Sequence, residues 1–405
     1  MISLPRRYAA VTLAFIVVAA CSTAFAQQIA WTDSLAMPAG HRFESVQLIA
    51  TTDGGVLAIG DEDTAVGGGS FQANIMLSKF APDGSPVWSR HIRGTYAMRF
   101  ARAYEIRGGN ILVAGNEQMD TTAAGQRWSP MVMAFRANGD SIWKLNYGPP
   151  PPDNSNVAHC FSVYGVSNDQ SLLLCAGSNY TFAYRIDGLG NVGSTRISLN
   201  GPRAVWEDFR NGADRIDLVS QESDDTLLVV HLSNSGDSVG ATILNLSSLG
   251  TSQDRSIANV APSSTGAYVI GGSLAIGQAP KQWKPAVARF DAAGQIGSIS
   301  IFPGSAPGDL LLRRVAPMEP GAYLALIDAN GTLLRLTQDS PVFDMITFNL
   351  PWRFTDAVPA TNRYYFVIGY TDPNNNSFPH VAKIGIGASA VESMKQQPIE
   401  KLDLW

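Results

Sequence analysis

Residues Ser45 to Arg93 read SVQLIATTDGGVLAIGDEDTAVGGGSFQANIMLSKFAPDGSPVWSRHIR, and most of the 405-residue chain downstream is a diverged copy of that stretch. Four apolar runs stand out in it: SVQLIA (45–50), GVLAIG (55–60), NIMLSKF (74–80) and PVWSRHI (86–92). A tight turn at Asp53, Gly54 and Gly55 separates the first two, a long polar loop the next two, and a second tight turn at Asp83 and Gly84 the last two. Strand-length runs joined in this way spell a four-stranded antiparallel meander, since glycine supplies the positive φ that a tight hairpin turn requires.

The glycine that ends the second run serves as a ruler. It recurs as Gly60, Gly115, Gly177, Gly271 and Gly369, at intervals of 55, 62, 94 and 98 residues. Halving the two long intervals predicts one diverged repeat in each, and RIDLVSQESDDTLLVVHLSNSGDSVGATIL (215–244) and AYLALIDANGTLLRLTQDSPVFDMITF (322–348) fill them. The turn before the outermost run marks the same seven units, with Gly84, Gly139, Gly190, Gly236 and Gly294, then Asp339 and Gly387. Seven four-stranded units of this size predict an all-β, seven-bladed β-propeller, with six or eight blades the weaker counts.

Such a ring must join its first and last blades, and closure removes open sheet edges that would template aggregation. IAWTDSL (29–35) has the pattern of the outermost strands PVWSRHI and SIWKLNY yet precedes the first inner strand, so it is assigned to the seventh blade. AVESMKQ (390–396) is the alternative. Residues 27–400 are expected to form one propeller domain, with 401–405 a tail. Residues 1–26 have the layout of a secretory signal: Arg6 and Arg7, an apolar run from Ala9 to Ala20, and small residues ending at Ala26. Cleavage after Ala26 predicts a periplasmic or secreted protein. Val18-Ala19-Ala20-Cys21 also fits a lipobox, which would place a lipid anchor on Cys21.

Loss of the leader removes two arginines, so 27 basic against 34 acidic residues leave a net charge of −7. That excludes nonspecific nucleic-acid binding. After the leader no apolar run approaches the roughly 20 residues that a membrane-spanning helix needs. Cys160 and Cys175 fall in the first and second strands of the third repeat, where a disulfide would close a 14-residue loop and contribute about 3 kcal/mol. Two buried free thiols are the alternative.

KFAPDGSPVW (79–88), AFRANGDSIW (134–143), YRIDGLGNVG (184–193) and RFDAAGQIG (289–297) together resemble the repeats of exported bacterial β-propellers, and of quinoprotein-like propellers in particular. The resemblance spans the mature chain and implies the fold. It implies little about function, because that group includes quinone-cofactor dehydrogenases and pure scaffolds of outer-membrane assembly. The dehydrogenases' Thr-Gly pair before the tryptophan is missing, and cysteines 15 apart form no vicinal disulfide, so no cofactor is expected.

All long insertions belong to the connections at one end of the blades, between the second and third strands or between blades: DEDTAVGGGSFQA (61–73), NEQMDTTAAGQRWSP (116–130), YGPPPPDNSN (147–156), SLAIGQAPKQWKP (273–285) and YTDPNNNSFPH (370–380). Loops on a rigid scaffold vary without disturbing its core, which makes this face the expected binding surface. An aromatic recurs before the third strand as Phe71, Trp128, Trp283 and Phe378, with Tyr180 a looser match, and a ring of such residues would stack on sugars or grip a partner protein. Each could instead cap its own blade's core. Arginines recur at the entry to the innermost strand as Arg42, Arg102, Arg203, Arg255, Arg313, Arg314 and Arg353. Converging guanidinium groups at the channel mouth would hold a carboxylate or phosphate. The neighbouring Glu44, Asp208, Asp254, Asp309 and Asp356 make ion pairs between blades the competing use.

Other signals lack their context. Gly188-Leu189-Gly190-Asn191-Val192-Gly193 spells a dinucleotide fingerprint but precedes the β segment STRISL where the chemistry needs a helix N-terminus. Asp61, Glu62 and Asp63 lack the spacing and glycine of a calcium loop. His41, His91, His159, His231 and His380 are read as falling in five repeats without ligand spacing, so no metal is expected. The chain is therefore read as an exported, monomeric, non-catalytic binding or scaffolding propeller for a glycan or protein. A glycan-acting hydrolase or lyase, a degenerate quinoprotein with its site at the channel mouth, and a lipid-anchored envelope scaffold are the alternatives.

Overall fold

The computed structural model describes residues 28–386 except 36–40, 68–69, 121–126, 148–158, 168–169, 177–179, 201–204, 212–213, 264–266, 278–280, 303–309, 319–321, 328, 330, 338–342, 361–363 and 372–378. Arg6, Arg7, Cys21, Ala26, Gly177, Arg203, Asp309, Asp339, Phe378, Gly387 and Ala390 to Gln396 lie outside the described residues. Within them the chain forms seven four-stranded antiparallel sheets arranged as a seven-bladed β-propeller, with only two single turns of 3₁₀ helix, Arg107–Gly109 and Ser247–Leu249. The innermost strands of blades one to seven are His41–Ala50, Met98–Glu105, His159–Ser167, Val205–Arg210, Arg255–Pro262, Leu312–Pro317 and Arg353–Pro359. Six sheets are continuous in sequence. The seventh runs from Arg353–Pro359 through Tyr364–Tyr370 and Pro379–Gly385 to Gln28–Ser34, so the N-terminal strand forms its outer edge.

The middle strands of each blade are apolar at successive positions because both faces of the sheet are covered. Leu57 and Ile59 pack toward the second blade with Met98, Val113 and Met131, whereas Val56 and Ala58 pack toward the seventh with Phe366, Ile368 and Val381. The described core thus divides into seven clusters, each joining two consecutive blades, and Leu35, Phe43, Leu48 and Phe80 belong to the one that seals the seam. A tryptophan of the outermost strand adds a repeated clasp. Trp31, Trp88 and Trp143 donate their indole N–H to the carbonyls of Pro82, Ala137 and Gly188 in the next blade, at 3.1, 3.0 and 3.0 Å. The first two rings lie against Gly84 and Gly139, where a Cβ would come within 2.5 and 2.6 Å of the ring and φ is positive. Trp31 makes this clasp across the seam.

All seven innermost strands slip register at an equivalent point against their neighbour, between Glu44 and Gln47, Phe100 and Arg102, Cys160 and Ser162, Val205 and Glu207, Ile257 and Asn259, Leu312 and Arg314, and Phe354 and Asp356, and the third slips again between Gly165 and Ser167. Such a bulge bends the strand and re-aims the side chain after it. It also explains the ruler glycine. A Cβ at Gly115, Gly272 or Gly369 would lie 2.4, 2.3 or 2.4 Å from the carbonyl oxygen of Arg99, Ser256 or Arg353. The register corrects two ruler positions: the fifth blade uses Gly272, with Gly271 one residue off, and in the third blade Cys175 stands at the place expected for Gly177.

Candidate functional site

The residue after each bulge is polar: Gln47, Arg102, Ser162, Glu207, Asn259, Arg314 and Asp356 occupy equivalent positions on the seven innermost strands. Three of them hold the next blade by its backbone. Gln47 accepts from the Ala103 N–H at 2.9 Å and donates to its carbonyl at 3.3 Å, and Asn259 does the same to Val315 at 2.8 and 2.9 Å. Asp356 accepts from the Leu48 N–H at 2.8 Å, from the seventh blade to the first.

The other positions carry charge. Arg102 reaches past the third blade to the fourth, where one terminal nitrogen donates to the carbonyl and carboxylate of Asp208 at 3.2 and 3.4 Å. The Tyr164 hydroxyl donates to the second oxygen of that carboxylate, beneath the Arg102 guanidinium, which lies 5.8 Å from the tyrosine ring. Burial and the Asp208 charge push the Tyr164 hydroxyl well above its ordinary pKa. Arg314 sets its Nε 3.2 Å from Asp356, whose side chain is almost fully buried. Glu207 is half-buried among these groups without a hydrogen-bond partner among the described residues. Desolvation lifts its carboxyl from 4.5 to about 7, opposed by Arg314 and Arg102 and reinforced by Asp208 and Asp356.

Of the arginines expected at the channel mouth, Arg102 and Arg314 therefore stand at equivalent inner-strand positions, each paired with an acid, and both act electrostatically on Glu207. Arg255 does not join them, which corrects that expectation: it is buried and commits its guanidinium to the carbonyls of Leu246, Gly250 and Asp224 and to the Asp225 carboxylate. Those bonds pin the turn and the interblade connection of the fourth blade. Arg353 stands one residue before Phe354, on the far side of the bulge from the polar ring, and Arg42 pairs in register with Asp63. A cavity of about 220 Å³ opens beside Arg255, lined by Gln221, Asp224, Ser252, Leu227, Leu246 and Ile257.

A second polar cluster occupies the loop end of the first blade. His41 and His91 both turn Nδ1 to the buried Glu62 carboxylate, at 2.5 and 2.9 Å. These two histidines thus share one blade, a correction to their reading as members of separate repeats. Asp61 beside them accepts the Phe100 N–H at 2.5 Å, and desolvation raises its carboxyl to about 7 against the pull of that bond and of Arg99. Asn116 makes the equivalent contact from the second blade, accepting from the Cys160 N–H and donating to its carbonyl. Among the described residues no group of three or more His, Cys, Asp or Glu side chains is placed to hold a metal ion.

Trp128 and Trp283 occupy the same register on their blades, opposite Gln118 and Ala275, each three residues beyond the ruler glycine. Both are half-buried, and the Trp128 ring lies 6.4 Å from that of His159. Phe71 pairs with Ala65, two residues farther along its hairpin, and Tyr180 pairs with Asn200 on the outermost strand of its blade. The aromatics therefore share no single level around the face: the two tryptophans match, on blades two and five. Cys160 and Cys175 are direct cross-strand partners, buried in the core between the second and third blades, and the structure holds them as free thiols.

No family model matches the chain, and no curated protein matches it. Among solved structures it is similar to YCF48 bound to a D1 peptide, with a TM-score of 0.56 at 11% identity over 89% of this chain and 96% of that one. The β-propeller domain of Cps50 (Swd1) from Myceliophteria thermophila gives 0.52 at 9% identity, over 89% of this chain and 100% of that one. YCF48 from Cyanidioschyzon merolae gives 0.52 at 8% identity, over 87% and 98%. At such identities the likeness is one of fold, and the fold is a seven-bladed β-propeller.

Proposed function

We propose that the protein is an exported, non-catalytic binding or scaffolding propeller that engages a glycan or protein partner through the end of the blades bearing its long loops. The observation that carries this reading is the matched pair Trp128 and Trp283 at that end, on a scaffold whose opposite end is closed by tight glycine turns. Half-buried indoles offer flat apolar area at little entropic cost, the property that suits them to sugar faces and protein hot spots. The acids of the channel favour binding over catalysis. Asp208 and Asp356 are consumed by arginine, tyrosine and backbone donors, so neither is the free partner of Glu207 that a glycan hydrolase of the paired type uses.

A double variant, Trp128→Ala with Trp283→Ala, tests the reading on a glycan array and in peptide-binding screens with the purified protein. Loss of ligand with a nearly unchanged melting temperature supports it. A large drop in melting temperature would make both rings core residues and remove the proposal. Export predicts a mature chain beginning at Gln27 or a lipidated Cys21, which intact mass distinguishes. It also predicts that Cys160 and Cys175 resist alkylation in the oxidised protein even after unfolding without reductant, since their backbones already stand opposite one another.

A further inference from the structure

We propose that the charged cluster of the central channel is a binding site for a small monocarboxylate, held by the guanidinium of Arg314 and hydrogen-bonded by the Glu207 carboxyl. Arg314 approaches Asp356 most closely through Nε, and its two terminal nitrogens, which form the fork that grips a planar carboxylate, donate no hydrogen bond among the described residues. Arg102 likewise commits one terminal nitrogen to Asp208. Glu207 sits within electrostatic reach of both arginines and of Asp208 and Asp356, yet bonds to none of them. Glu207 and Arg314 follow the bulges of the fourth and sixth inner strands at equivalent positions, so a donor fork and a carboxyl, each still reached by solvent, stand at one level of the channel and are complementary to a ligand that accepts from one and shares a proton with the other.

Charge selects the class. The two arginines are balanced by Asp208 and Asp356, so the site is neutral when Glu207 is protonated and negative when it is ionised. A monoanion enters the neutral form and shares the Glu207 proton in a short O–H···O⁻ bond, whereas a dianion would leave excess charge in a partly desolvated space. Because burial already lifts the Glu207 carboxyl to about 7, the competent form is the main one below neutrality. Binding is then accompanied by proton uptake above pH 7 and weakens about tenfold between pH 6 and pH 8. This site is separate from the tryptophans of the loop face.

The test uses calorimetry and ligand-observed NMR on the mature protein with acetate, lactate, pyruvate and benzoate as probes, at pH 6 and pH 8. The expected result is binding of at least one probe, about tenfold weaker at pH 8, retained in the Trp128/Trp283 double variant and lost in Arg314→Leu. Glu207→Gln keeps a hydrogen-bond donor without the titration, so it should bind with little pH dependence and remain folded. No binding by the native protein, an undiminished pH dependence in Glu207→Gln, or inorganic phosphate binding as tightly as the carboxylates would each overturn the proposal. Loss of folding in Arg314→Leu would leave the decision to Glu207→Gln.

Discussion

At the scale of single residues, repetition supplies its own controls. Asp61 and Asn116 do one job on successive blades, accepting an N–H of the next blade's inner strand, and Asn116 also donates to the carbonyl there. The fold keeps Asp61 protonated where the unfolded chain has already ionised it, since its carboxyl moves from 3.8 to about 7. Stability from this position is therefore full below pH 4 and falls as pH rises toward 7, and Glu207 adds a decline of the same sign. Asp61→Asn should raise stability near pH 7.5 by about 2 kcal/mol, roughly half of what the shift represents, and leave it little changed near pH 4. Urea titrations at the two pH values measure this, and equal effects at both would assign Asp61 a different role.

The tryptophan clasp belongs to the scale of elements. Trp88→Phe keeps apolar contact with the next blade's turn and deletes one hydrogen bond to a backbone carbonyl, so it should cost about 1 kcal/mol. Trp88→Ala also removes the ring packed over Gly139 and should cost about 3 kcal/mol, both readable from denaturant midpoints. Equal losses in the two variants would show that the hydrogen bond alone matters. Trp88 and Trp143 are legible in the sequence because each sits four residues after a turn glycine, Gly84 or Gly139, on strands that a hairpin keeps in register, and Trp31 is legible by its likeness to them. The aromatics before the third strand are not, because Phe71, Trp128 and Trp283 follow loops of unequal length, and counting along a loop does not give the level at which a side chain emerges. The arginines failed for a related reason. A bulge separates Arg353 from the ring that Arg102 and Arg314 join, and no residue type announces a bulge. What the sequence does carry is a polar residue followed by an apolar one at Gln47-Leu48, Asn259-Val260 and Asp356-Ala357, the three that hold the next blade by its backbone.

For the whole molecule, stability comes from interfaces between blades, and one of the seven joins the two ends of the chain. Deleting residues 28–35 removes the outer strand of the seventh blade, the Trp31 clasp and buried Leu35 together. The shortened protein should melt earlier and associate through the uncovered edge of Pro379–Gly385, which light scattering after gel filtration would detect. A monomer of unchanged melting temperature would mean that another segment covers that edge. The seam also imposes an order of events. Ser34 meets His380 at a sequence separation of 346, so a strand made before all seven inner strands is among the last to find its place. A nascent chain remains an open arc with a waiting strand at one end and a bare edge at the other, and vectorial delivery, whether from a ribosome or through a translocation pore, holds it in that state until the final blade has emerged.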